Sequence, residues 1–108
     1  MRRGDIIVAS QRGDYTGKPR PYVVVQRGST LDHSSSVTAC PITSELLGPG
    51  KTRIALPAGV TTGLLVASEV EINRIATLRR ERVSEVIGQV PGEQMRMIDK
   101  ALKIWLDL

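Results

Sequence analysis

From Asp5 to Leu78 the apolar residues arrive in short, partly β-branched runs, each closed off by Gly, Pro, Ser, Thr or Asp. No stretch there keeps the three-to-four-residue period that a crossover helix needs. A parallel βαβ sheet requires such helices between its strands, so the pattern points to antiparallel strands joined by turns. Asp5-Ile6-Ile7-Val8-Ala9-Ser10 reads as the first strand. Tyr22-Val23-Val24-Val25-Gln26 is a continuous apolar strand of the buried kind, and Ser36-Val37-Thr38-Ala39-Cys40-Pro41-Ile42 is a more alternating one. Lys51 to Leu56 alternates between two turn clusters, Gly48-Pro49-Gly50 and Pro57-Ala58-Gly59. Leu64 to Val70 and Ile72 to Leu78 follow as further strands. Short strands at this spacing predict a mainly β fold, a small closed barrel, in one domain over residues 1–108.

The period changes near the end of the chain. From Pro91 to Leu108, Met95, Ile98, Leu102 and Trp105 recur at helical spacing, and Arg96, Asp99, Lys100, Lys103 and Asp107 fall on the other face. This predicts a C-terminal amphipathic helix with Trp105 buried and an Asp99–Lys103 pair at i,i+4. A second apolar row, Met97, Ala101, Ile104 and Leu108, widens the buried arc enough to suit packing against both the barrel and a partner subunit.

One cysteine and one histidine supply neither an internal disulfide nor, within one chain, the usual ligands of a zinc site. The acidic residues are scattered, with Glu69 and Glu71 the closest pair, and suggest no magnesium site. No metal or other cofactor is expected. The first apolar run, Ile6 to Ala9, is far shorter than a signal-peptide core or a membrane span, so a cytoplasmic protein is expected.

The net charge of +4 is unevenly placed. Residues 1–27 hold six basic residues, Arg2, Arg3, Arg12, Lys18, Arg20 and Arg27, against Asp5 and Asp14, and the remainder carries nine of each sign. A polyanion would be steered toward whatever surface that first quarter builds. With no Phe, two Tyr and one Trp, the aromatic stacking platforms of RRM and OB modules are missing.

Gly17-Lys18-Pro19-Arg20-Pro21 is the most constrained peptide in the chain, because each proline fixes its own φ and pushes the preceding residue toward extended backbone. Lys18 and Arg20, two apart, then project to the same side at the entrance to the Tyr22 strand. Arg offers a phosphate a bidentate fork and Lys a point charge; a basic loop merely stiffened by proline is the alternative. Thr43 and Ser44, where a strand ends, can donate to phosphate or ribose oxygens, or can cap the turn that follows. Cys40 reads as a small core residue and His33 as an exposed turn histidine.

With Arg3-Gly4-Asp5-Ile6 at the start, Gly17 to Pro21 before Tyr22-Val23-Val24-Val25-Gln26, and Pro41-Ile42-Thr43-Ser44 at a strand end, the chain resembles the MazF/PemK/Kid toxins of bacterial toxin–antitoxin systems over almost its whole length. The resemblance implies an SH3-like barrel ending in a helix, a homodimer, and a cognate antitoxin protein. It also implies metal-independent cleavage of single-stranded mRNA at short sequences, leaving 2′,3′-cyclic phosphate and 5′-hydroxyl ends and so stopping translation. Arg20 matches the family's catalytic arginine and Thr43 its catalytic threonine. Lys18 and Ser44 would position the RNA, with Asp14, Tyr15, Glu71 and Asn73 as further RNA-contacting residues. Where some members carry a proton-transferring Asp, this chain has Asn73, which cannot be a base; Glu71, Asp14 or His33 replaces it, or Arg20 and Thr43 suffice. Two other readings compete: a non-catalytic RNA-binding barrel using the same basic loop, and a gyrase poison of the CcdB type acting through the end of its C-terminal helix.

Overall fold

The computed structural model describes residues 1–10 and 18–108. In chain order the strands are β1 (Asp5–Ala9), β2 (Arg20–Val24), β3 (Ser36–Thr43), β4 (Arg53–Leu56), β5 (Ser68–Glu71), β6 (Ala76–Arg79) and β7 (Val83–Gln89). A single-turn helix α1 (Gly28–Leu31) follows β2, and α2 (Gly92–Leu106) ends the fold.

The long strand β3 organises the sheet. Along one edge, residues Ala39 to Pro41 pair with β2; along the other, residues 36–39 pair with β6 and Ile42 and Thr43 with β5. Every pairing among the described residues is antiparallel, and the path runs β4-β5-β3-β2-β1-β7 with β6 beside it on β3. The expected β-rich fold with a terminal helix is what forms. The expected closure is not: among the described residues β4 and β7 end the path without pairing with each other, so the sheet is open. The 57–67 loop spans the gap and leans on β7, where the Gln89 amide donates to the Thr61 carbonyl at 2.8 Å.

Alternation along the central strands splits the core in two. Ile6, Val23, Cys40 and Ile42 face one layer together with Ile54, Val70 and Ile72, under Ile98, Ala101 and Leu102 of α2. Their neighbours Ile7, Val24 and Ala39 face the other, with Tyr22, Leu31, Val37 and Leu78. Both faces are covered, which is why Tyr22 to Val25 is apolar without interruption. At roughly 25 cal/mol per Å2 of apolar surface removed from water, these layers supply most of the folding drive.

Several expected boundaries move. The second strand starts at Arg20 and stops at Val24, because the Val25 and Gln26 amides both donate to Thr38 O (3.1 and 3.2 Å) and break the ladder. In place of one strand over Ile72 to Leu78 there is a 3-10 turn, Ile72–Arg74, and then β6. Leu64 to Ala67 are loop, with Leu65 and Val66 exposed and β5 beginning at Ser68. The sequence carries no strand signal for β7, an edge strand whose Ser84, Glu85 and Val86 are all exposed, so that it has no clean apolar alternation.

Two expectations for α2 fail. Trp105 is 49% exposed, because the helix buries Ile98, Ala101 and Leu102 and its last turn then runs past the sheet. Asp99 is taken by Arg3 rather than Lys103: the carboxylate lies 2.7 Å from the guanidinium, whose Nε also donates to Val25 O at 2.9 Å. Arg3 thereby ties the N-terminus to α2, its charge paired with Asp99.

Cys40 is fully buried, and desolvation pushes its thiol from an ordinary 9.0 up to about 12. It is a core residue, as expected. A thiol reagent at pH 8 should therefore label the unfolded chain and spare the native one. Above pH 9 the unfolded thiol loses its proton while the folded one keeps it, so this contribution to stability is complete below pH 9 and lost toward pH 12. A melting series over that range should fall less steeply for Cys40→Ala than for the parent.

Candidate functional site

Arg20 is the first residue of β2 and Thr43 the last of β3. These strands are antiparallel neighbours whose pairing ends with Tyr22 opposite Pro41, and two residues beyond that pair on each strand Arg20 and Thr43 line the same cleft. Residues distant in sequence thus meet at one end of the sheet, where a cleft of about 450 Å3 opens. Lys18, Arg20, Thr43 and Ser44 all line it, so the structure brings together the four residues that the basic loop and the strand end pointed to. Pro19 and Pro21 flank Arg20 in the same lining and hold the segment extended.

The remaining lining is mostly apolar. Val8, Pro21 and Ile42 come from adjacent strands, Ile87 from β7, and Gly63, Leu64, Leu65 and Val66 from the loop before β5. The apolar run from Leu64 to Val70 has the composition of a strand, which hides its role as this wall. The loop is internally braced: buried Thr62 donates to Pro57 O (2.8 Å) and accepts from the Leu64 amide (3.3 Å), and the Gly63 amide donates to Gly59 O (2.8 Å). Ser68, also in the lining, spends its hydroxyl proton on Val66 O at 3.0 Å.

Thr43 has both a capping and a chemical capacity. Its Oγ1 accepts from the Glu45 amide at 3.1 Å, so the turn-capping alternative holds. A hydroxyl has one proton to give besides its lone pairs, and accepting from Glu45 leaves that proton for a ligand in the cleft. Ser44 is exposed beside it. Among the described residues the titratable groups lining the cleft are Lys18 and Arg20, both cationic, which makes it a site for an anion.

The other named candidates lie elsewhere. Glu71, at the end of β5, is half-buried between Arg53 (3.7 Å) and Arg74 (3.3 Å), and Asn73 is exposed on the Ile72–Arg74 turn; neither lines the cleft. His33 is exposed just beyond α1, also away from the lining. Asp14 and Tyr15 fall outside the described residues, as do Arg12 and Gly17. Among the described residues no cluster of His, Cys, Asp and Glu could hold a metal ion, and no helix is long and apolar enough to cross a membrane.

A family model described as PemK-like, MazF-like toxin of type II toxin–antitoxin system matches residues 2–106. The chain belongs to that family. A Mycolicibacterium smegmatis protein named "Probable endoribonuclease MazF" is 35% identical over 108 residues, covering 100% of this chain and 98% of its own length. Endoribonuclease MazF9 of Mycobacterium tuberculosis is 32% identical over 116 residues, covering 100% of this chain and 98% of its own. Among solved structures, the M. tuberculosis toxin MazF-mt6 superposes with a TM-score of 0.82 at 26% identity, over 96% of this chain and 97% of that one. The open antiparallel sheet with its terminal helix is therefore the MazF fold.

Proposed function

We propose that this MazF-family toxin is an endoribonuclease that cuts single-stranded mRNA in the Lys18–Arg20–Thr43–Ser44 cleft and so inhibits translation in the cytoplasm, where that substrate lies. The observation that supports this most is the juxtaposition of Arg20 with Thr43 across β2 and β3, at the mouth of a cleft whose described titratable groups are cations. In the reaction the RNA's own 2′-oxygen attacks the adjacent phosphorus and the bond to the 5′-oxygen breaks, giving a 2′,3′-cyclic phosphate and a 5′-hydroxyl. The 2′-hydroxyl gives up a proton and the departing 5′-oxygen gains one. Charge builds on the non-bridging oxygens of the pentacoordinate phosphorus, where the fixed donors of Arg20 and the Thr43 hydroxyl are best spent. Lys18 and Ser44 hold the strand, and nearby cations favour the alkoxide form of the 2′-oxygen. Glu71, held by two guanidinium groups and absent from the cleft lining, is proposed with Asn73 only as a contact for RNA beyond the cleft.

The test is a long labelled RNA incubated with the purified protein in excess EDTA, followed by mapping of fragment ends. Discrete cuts with cyclic phosphate ends are expected. Intact RNA held in a salt-sensitive complex would instead mark a binding-only module.

Two partners follow from the same reading. A mycobacterial endoribonuclease of this fold, 22% identical, has been solved with its cognate antitoxin, and we infer an antitoxin for this chain, with exposed Leu46, Leu47, Leu65 and Val66 near the cleft as apolar footing. A second copy suits Met97, Ile104, Trp105 and Leu108, which α2 leaves exposed. Sedimentation velocity should show a dimer that Trp105→Arg converts to monomer; a wild-type monomer at high concentration would remove this partner.

A further inference from the structure

Beyond Thr43 the chain leaves the sheet, and every residue from Ser44 to Gly50 is exposed, so no core burial fixes this segment. Side chains fix it instead. Thr43 Oγ1 takes the Glu45 amide. The carbonyl of Glu45 accepts from Arg53 Nη1 at 3.0 Å, and the same nitrogen donates to Glu69 Oε1 at 3.1 Å. Glu69 Oε1 also accepts the Leu47 amide at 3.1 Å, and its Oε2 accepts the Gly48 amide at 3.0 Å.

Glu69 stands opposite Thr43 in the β3–β5 register and is 2% exposed. A buried carboxylate is costly to keep, and an apolar residue would fill this buried position on β5 more cheaply. What the charge holds is a surface segment that contributes little burial of its own. That segment matters to the cleft, because the Glu45 amide occupies a lone pair of Thr43 Oγ1 and so sets where the hydroxyl proton points.

We propose that Glu69, with Arg53, is a positioning pair for RNA cleavage: it clamps Glu45 to Gly48 and thereby holds the Thr43 hydroxyl and Ser44 in reactive geometry. The proposal rests on the cleavage reading above. Glu69 is not the base, since it is absent from the cleft lining and both of its oxygens are engaged.

The experiment measures kcat and KM on a short RNA for Glu69→Gln, Thr43→Ala and the double variant, with melting curves confirming the fold. Glutamine keeps the size but loses an acceptor and the charge facing Arg53. The expected result is a kcat lower by roughly 10- to 100-fold, the scale of a misplaced catalytic group, with KM little changed. In the Thr43→Ala background the same substitution should matter less than about twofold, because the clamp acts through Thr43. Amide exchange at Leu47 and Gly48 should accelerate. Should Glu69→Gln not fold, Arg53→Gln, which cuts the tie to Glu45, is expected to give the same kcat loss. A lowered melting temperature with unchanged kcat, or losses that add in the double variant, overturns the positioning role and leaves the cleavage reading standing. A wild-type rate for Thr43→Ala overturns both.

Discussion

Replacing Arg20 by alanine is expected to lower the single-turnover rate of RNA cleavage by roughly 100- to 1,000-fold, the usual loss when one fixed donor to a developing oxyanion is removed. The fold should survive, because Arg20 is exposed at the start of β2 and surface substitutions shift stability by only about 0.5 kcal/mol. Arg20→Lys separates charge from shape: lysine keeps a cation but loses the planar fork, so it should recover binding more fully than rate. The loss should appear in kcat more than in KM, since the phosphorane carries charge that the ground-state phosphodiester does not. Fragment yield in EDTA, with a melting curve for each variant, measures both. A fully folded Arg20→Ala protein that cuts at the parental rate would remove Arg20 from the chemistry and return the cleft to plain RNA binding.

Arg20 and Thr43 are legible in the sequence for two reasons of different kind. The prolines around Arg20 are local constraints that a sequence displays directly. The pairing of Arg20 with Thr43 is not local: it depends on a register between β2 and β3 that no spacing reveals, and only the family resemblance supplied it. The central strands could be read because both of their faces are buried, which removes ambiguity about polarity. Edge elements defeated the same reasoning. Strand β7 buries none of its side chains fully, so it lacks the alternation that marks a strand, and Leu64 to Ala67 in the loop before β5 are apolar enough to imitate one. Trp105 keeps helical spacing with Ile98 and Leu102, but spacing does not say where the sheet beneath a helix ends. Glu69 drew notice only as a member of an acidic pair, and its role depends on amides 21 and 22 residues away.

Alanine at Gly63 should be among the most damaging single substitutions in the chain. The backbone there has φ +72, a left-handed conformation costing an L-residue about 1–2 kcal/mol. An added Cβ would also sit 2.1 Å from the carbonyl oxygen of Ile87, a backbone atom that cannot swing aside. Overpacking of this kind costs about 1–3 kcal/mol, so the combined loss is on the order of 2–5 kcal/mol and the melting temperature should fall by about 10 °C or more. Gly88 faces the same contact from the other chain segment: its Cβ would meet Thr62 O at 2.2 Å, but its φ is not positive. Gly88→Ala, whose Cβ would also meet Thr62 C at 2.3 Å and Thr61 O at 2.5 Å, should destabilise the fold by overlap alone. The contact matters because β4 and β7 do not pair; glycine against backbone is how the 57–67 loop seats on β7 and bridges the two ends of the open sheet. Leu64, Leu65 and Val66 follow at once as the apolar wall of the cleft, so the folded fraction of Gly63→Ala should also cleave RNA more slowly. A variant that melts with the parent would show that this loop can lift from β7 at little cost, and the wall of the cleft would then be a movable element rather than a fixed one.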